Sequence, residues 1–393
     1  MPFLLAITTI VLLLLSHTVS ASNQNITLPF LPAVDEHLIK RWYGVNALHP
    51  PMILGGWGPW PLMCPGPDQK QPIRYCFKDE RSRGNLQSTV DQAVARWAHA
   101  LSPASNLEIG FDHDDTPLCT DPRIRPDALV ISDESTDDNA NWFDCDTKST
   151  TGYLYGSSDT RGRHTLEFCH LKPGDEDATG AVAVQAMMHE LGHVMGLAHE
   201  HQRKDRGNVL RFVCSNIEGY DEAVTKALAD EEVLFDDDLD DKDRTSLICG
   251  DATFAQHYFP AALSFIRGDF MQTPTDDNRW QYYGASPTLD TESIMIYNSD
   301  LGAKKPGTDN YKDWVMYQKG SRKPVWTGGD RDPTKCAPSA GDIERVKQLY
   351  PLPPGQGVQA RSEEGSGRMA VRVRIRNEFE MVVDPPKVVD REL

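Results

Sequence analysis

Past residue 15, the 393-residue sequence has no apolar run long enough to cross a bilayer. It also lacks any basic excess. The formal net charge of -18 excludes a nucleic-acid partner, because nothing in the chain could neutralise a phosphate backbone. None of the eight cysteines falls in a CxxC pair, which argues against a zinc ribbon. No internal repeat is present, so a solenoid or propeller is excluded. The acidic stretch Asp236, Asp237, Asp238, Asp240 and Asp241 lacks the ligand spacing of a calcium loop and reads as a solvated loop.

The N-terminus is the one strongly apolar stretch. Residues 3–15 are almost wholly hydrophobic and small or polar residues follow. This is too short for a span and reads as a signal peptide over 1–21, leaving a secreted chain with no membrane segment. In an oxidising compartment an even cysteine count reads as disulfides. Asn25-Ile26-Thr27 is a glycosylation sequon. The dibasic pair Lys40-Arg41 ends a short propeptide over 22–41, and residues 42–70, rich in Trp, Pro and Gly, read as irregular structure.

The folded domain is expected over 71–351. Ile73, Tyr75 and Phe77 alternate with polar residues as in a half-buried strand. Leu86, Val90, Val94, Trp97 and Leu101 recur at helical spacing, and Pro103 ends that helix. Alternation over 107–111 and apolar stretches at 128–131 and 165–169 predict three more strands. A second helix over about 177–195 buries Val184, Met187, Met188, Leu191 and Val194. From 202 to 291 the pattern is weak. A last helix starts at Ser339, with Asp342 as its capping-box acid and Ile343, Val346 and Leu349 facing inward. Past Pro351 the composition turns to Pro, Gly, Ser and charge, a tail over 352–393 in which Val371, Val373 and Ile375 alternate as in one appended strand. The order of elements predicts an α+β fold, a mixed sheet carrying helices on one face.

Residues 189–199, HELGHVMGLAH, match H-E-x-x-H-x-x-G-x-x-H at every fixed position. Residues four apart on a helix lie one above the other, so His189 and His193 present two imidazoles to one cation. A third ligand must come from outside that helical face. Gly196 is suited to positive φ, which ends the helix and turns His199 back toward the pair. Three neutral nitrogens leave one zinc position open, the mark of a catalytic site. At average residue frequencies the full pattern arises by chance in a chain this long on the order of once in 100,000. Glu190 follows the first ligand and is placed to move a proton without binding the metal.

At this motif the chain resembles the astacin family of metzincins. Residues 199–206, HEHQRKDR, are similar to that family's continuation, residues 293–297, SIMIY, to its Met-turn, and residues 339–350, SAGDIERVKQLY, to its closing helix. The resemblance implies a metzincin catalytic domain with a twisted mixed sheet, a zinc helix and a Met-turn. It implies zinc as cofactor, peptide-bond hydrolysis, and protein or peptide substrates. Met295 would form a floor under the histidines, and Tyr297 would stand beside the zinc as a hydrogen-bond donor in the transition state. Residues 165–168 would be the edge strand to which an extended substrate adds. Cys145 would pair with Cys169, and Cys76 with Cys336. The chain departs from the family at Ile296, often His there, at Pro351, usually Cys, and in a longer gap between His199 and Met295.

Two alternatives stay open at this stage: a metzincin of another family, and a secreted zinc-bearing binding protein without turnover. Latency likewise has two readings. Cleavage after Lys40-Arg41 would free Trp42, whereas residues 64–68, CPGPD, loosely resemble the cysteine switch of matrix metalloproteases. Withdrawing Cys64 from pairing would strand another thiol, which favours the dibasic route.

Overall fold

The computed structural model describes residues 43–45, 56–61, 71–102, 105–112, 115–136, 147–155, 161–170, 180–203, 205–230, 239–267, 280–282, 289–325, 337–352, 373–375 and 381–383. The signal peptide, residues 22–41, Cys64, Cys145, Cys336 and Asp236 to Asp238 lie outside them.

Two short strands, β1 (Tyr43–Val45) and β2 (Gly56–Gly58), come first. The strand read from Ile73, Tyr75 and Phe77 is β3 (Gln71–Phe77), with those three side chains buried. Helix α1 (Glu80–Leu101) follows, capped by Asp79, whose carboxylate accepts the Ser82 N–H at 2.8 Å. Its buried stripe is Leu86, Val90, Ala93, Trp97 and Leu101. The chain then returns as β4 (Leu107–Phe111), parallel to β3, and continues through β5 (Leu129–Asp133), β6 (Lys148–Ser149), β7 (Tyr153–Tyr155) and β8 (Thr165–Phe168). The main sheet has the order β4-β3-β5-β8-β6, parallel except for β6. This corrects one expectation: β8 is an inner strand, and the edge beyond it is the two-residue β6, too short to show alternation in sequence.

Helix α2 (Ala181–Val194) has Gly180 as its N-cap, at φ +67°, and its first residue comes four after the expected start near 177. It packs on α1, where the Trp97 indole N–H donates to the Met188 carbonyl at 3.0 Å. Val184, Met187, Met188, Leu191 and Val194 are all buried in one cluster with Ile73, Phe77 and Trp97. Val45 and Trp60, from the Trp-, Pro- and Gly-rich stretch, belong to this same core.

The stretch with the weakest pattern holds a second core. The stretch contains α3 (Arg206–Val209), β9 (Leu210–Phe212), α4 (Tyr220–Ala229), α5 (Asp241–Gly250), α6 (Ala252–Tyr258) and β10 (Trp280–Tyr282), which pairs with β1; β11 (Met316–Gln318) follows it and pairs with β9. Ala223, Ala227, Ile248, Phe254, Tyr258 and Phe265 pack together there. Helix α7 (Ala340–Leu349) carries the expected capping box between Ser339 and Asp342. In the tail, β12 (Val373–Ile375) pairs antiparallel with β13 (Met381–Val383), two strands where one was expected.

Cys76 is bonded to Cys119 and not to Cys336, because β3 and the Cys119 turn run side by side. Cys214 is bonded to Cys249, and Cys169 is also in a disulfide. Among the described residues no helix is long and apolar enough to cross a membrane.

Candidate metal centre

The site is built where α2 ends. His189 and His193 stand one turn apart, with ring centroids 4.8 Å from each other. Gly196 then takes φ +102°, and its N–H and that of Leu197 close back onto the carbonyls of His193 and Gly192. A Cβ at Gly196 would lie 2.6 Å from Val45, so both the conformation and the space require glycine. The reversed chain brings His199 back. Its Nε2 lies 3.1 Å from that of His189 and 3.0 Å from that of His193.

The outer ring nitrogens fix which proton sits where. His189 Nδ1 is 2.7 Å from the Ile294 carbonyl and His193 Nδ1 is 2.9 Å from the Leu197 carbonyl. A carbonyl only accepts, so both Nδ1 atoms carry the proton. His199 Nδ1 faces Gln202 Oε1 at 3.2 Å, and Gln202 Nε2 donates to the Ser264 carbonyl, which orients that amide. Three unprotonated Nε2 lone pairs therefore converge, within 4.8 Å of one another. Lone pairs at this separation repel unless a cation sits among them, and three neutral imidazoles are the donor set zinc takes. Burial lowers the pKa of all three rings, that of His193 to about 3, so they stay in the ligating form in mild acid.

The Met-turn closes the site from below. Asp342, buried at the start of α7, accepts from the Ser293 hydroxyl at 2.6 Å and from the Ile294 N–H at 2.8 Å. The Ile294 carbonyl is the one that orients His189, so the last helix is linked to the first ligand through two bonds. Met295 is 1% exposed and lies against Gly192 of the zinc helix, where a Cβ would collide with its sulfur. The Tyr297 ring, half-buried, has its centroid 4.5 Å from that of His199 and 6.1 Å from that of His189. Its backbone N–H donates to His201 Nδ1, and the His201 ring stacks beside both His199 and Tyr297. Beyond the ligands, Glu200 pairs with Arg203 at 2.6 Å, and burial still pushes its carboxyl up to about 7.

Glu190 points from α2 toward β6 and is 6% exposed. Its Oε2 accepts the Ser149 hydroxyl proton at 2.7 Å. Ser149, His201 and Gln202 carried no assigned role in the sequence. Asp342 was legible there only as a helix cap. A hydroxyl on a two-residue strand gives no pattern to read.

Residues 178–235 match the family model for astacin, a peptidase family. Over those residues the chain is similar to the astacin peptidases. No curated protein matches it. Among solved structures it is similar to the high choriolytic enzyme 1 of the medaka Oryzias latipes, a hatching enzyme zinc-protease. That likeness has 16% identity and a TM-score of 0.38, covering 72% of this chain and 90% of the other. A second similarity is to myroilysin, with 16% identity and a TM-score of 0.32 over 75% of this chain and 95% of the other. The astacin-type match spans the zinc helix, the third histidine and the first part of the second core.

Proposed function

We propose that the chain is a secreted endopeptidase that cuts peptide bonds in proteins, with zinc held by His189, His193 and His199. The observation that carries this reading is the set of three converging Nε2 lone pairs, two of them on the helix that also carries the buried carboxylate of Glu190. When bound, zinc supplies Lewis-acid polarisation of the attacking water and of the scissile carbonyl. Glu190 accepts the proton of that water and returns it to the departing amine nitrogen. The Tyr297 hydroxyl donates to the oxygen on which negative charge develops. No covalent link between enzyme and substrate is required. Substrate is an extended peptide lying along the β6 edge, where backbone N–H and C=O groups offer ladder bonds without regard to sequence.

Secretion is supported by the apolar residues 3–15 and by the disulfides at Cys76–Cys119 and Cys214–Cys249. For maturation, we favour removal of 22–41 after Lys40-Arg41. The Val45 N–H donates to the Gly196 carbonyl at 2.8 Å, so a chain starting at Trp42 keeps the strand that buttresses the zinc turn. Sequencing the active form should return Trp42 as its first residue, and thiol titration of the secreted precursor should find none free. A titratable Cys64, with activating cleavage beyond it, would replace this route by a cysteine switch.

The decisive test of the chemistry is Glu190→Gln. Cleavage of denatured casein is expected to vanish while bound zinc stays near one per chain. Retained turnover would remove Glu190 from the mechanism, and a wild-type protein that binds zinc but never cleaves would make the chain a binding module.

A further inference from the structure

We propose that Ser149 is a positioning residue for Glu190, aiming the carboxylate by a hydrogen bond from the sheet edge. The inference rests on the proton-moving role given to Glu190 above. Ser149 ends β6 and pairs in register with Leu166, a fully buried residue, while its neighbour Lys148 is exposed and pairs with Glu167 at 3.2 Å. Alternation along the strand therefore sends the Ser149 side chain to the face covered by α2.

There its Oγ lies 2.7 Å from Glu190 Oε2 and 3.0 Å from the Glu190 carbonyl oxygen. A hydroxyl has one proton to give, and the carboxylate, nearer and charged, is the stronger acceptor. A glutamate side chain has several rotamers open to it, and proton transfer requires heavy atoms within about 2.6–3.2 Å. A donor fixed on the facing strand selects one of those rotamers before substrate arrives.

The strand does not depend on that hydroxyl for its own place. The Thr150 N–H donates to the Thr165 carbonyl, the Thr165 N–H to the Thr150 hydroxyl, and the Gly152 N–H to the His193 carbonyl. Removing Ser149 Oγ should thus take away this donor to the carboxylate and leave the edge strand and the ligand helix clasped together. A misplacement of about 1 Å in a reacting group costs on the order of a hundredfold in rate.

The test compares Ser149→Ala, Ser149→Thr and Glu190→Gln as full-length zinc-loaded proteins, on a quenched fluorescent peptide and by thermal unfolding. Ser149→Ala should lower kcat about ten- to a hundredfold with KM within twofold and zinc content unchanged, and Ser149→Thr should restore most of it. The Tm shifts of Ser149→Ala and of Glu190→Ala, added for this measurement, should sum to more than the shift of the double variant, because both break one bond. An unchanged kcat in Ser149→Ala, a rise in KM alone, equal losses in the Ala and Thr variants, or additive Tm shifts would each overturn the assignment. If Glu190→Gln is inactive in that experiment, the reading of Glu190 stands whatever Ser149 does. If Glu190→Gln turns over normally, that reading falls first.

Discussion

The ring of Tyr297 is placed by tilted contacts with the His199 and His201 rings and by its backbone bond to His201 Nδ1. Deleting only the hydroxyl should therefore leave the aromatic wall standing. Tyr297→Phe is expected to lower kcat by roughly a hundred- to a thousandfold with little change in KM, since the lost donor acts in the transition state. Steady-state kinetics on one peptide decides it, and an unaltered kcat would make Tyr297 a packing residue. At this scale the sequence was informative where chemistry dictates spacing. The three histidines stand at intervals that a helix and one glycine turn impose, and the structure brings their Nε2 atoms to one place. It was silent on Ser149, because a serine on an edge strand resembles any other surface serine.

Helix α2 and the Met-turn pack closely at Gly192. Gly192→Ala would gain about 0.5–1 kcal/mol in helix propensity. The new Cβ would collide with Met295 Sδ, a crowding that typically costs about 1–3 kcal/mol, so packing wins. The variant should unfold at lower temperature and hold zinc more weakly, as read by scanning calorimetry and competition with a chromogenic chelator. Equal or higher Tm would show that Met295 moves aside freely. The long helices α1 and α2 and the capped α7 were readable because each presents a full apolar stripe. Helices α4, α5 and α6 were missed because they run for only 10, 10 and 7 residues. Much of what α4 and α6 bury is alanine, namely Ala223, Ala227 and Ala255, which scarcely registers as hydrophobic patterning.

Across the whole molecule, stability should depend on acid through a histidine that is not one of the three converging ones. His164 is fully buried between Trp60 and Tyr153, with Nδ1 facing the Asp127 carbonyl and Nε2 accepting the Leu154 N–H. Burial lowers its pKa from 6.5 to about 4. Between those values the unfolded chain binds a proton that the folded one refuses. Stability is therefore full above pH 6.5 and falls as pH drops toward 4, by about 3 kcal/mol. Urea unfolding from pH 7 to 4 should show this slope, and His164→Gln should flatten it. The same slope in the variant would assign it to other groups.

The core also joins distant parts of the polypeptide. Arg345 Nη2 donates to the Val45 carbonyl at 2.6 Å, and the Tyr350 hydroxyl, which receives the Trp60 N–H, donates to the Met195 carbonyl. Nearly 300 residues separate the partners in the first and second of these bonds. A ribosome releases that chain from its N-terminus over tens of seconds. The bonds that Arg345 and Tyr350 add behind that turn form only once α7 has emerged, long after the histidines themselves have been made. The support behind the histidine site is thus completed late in synthesis, a delay written into the topology.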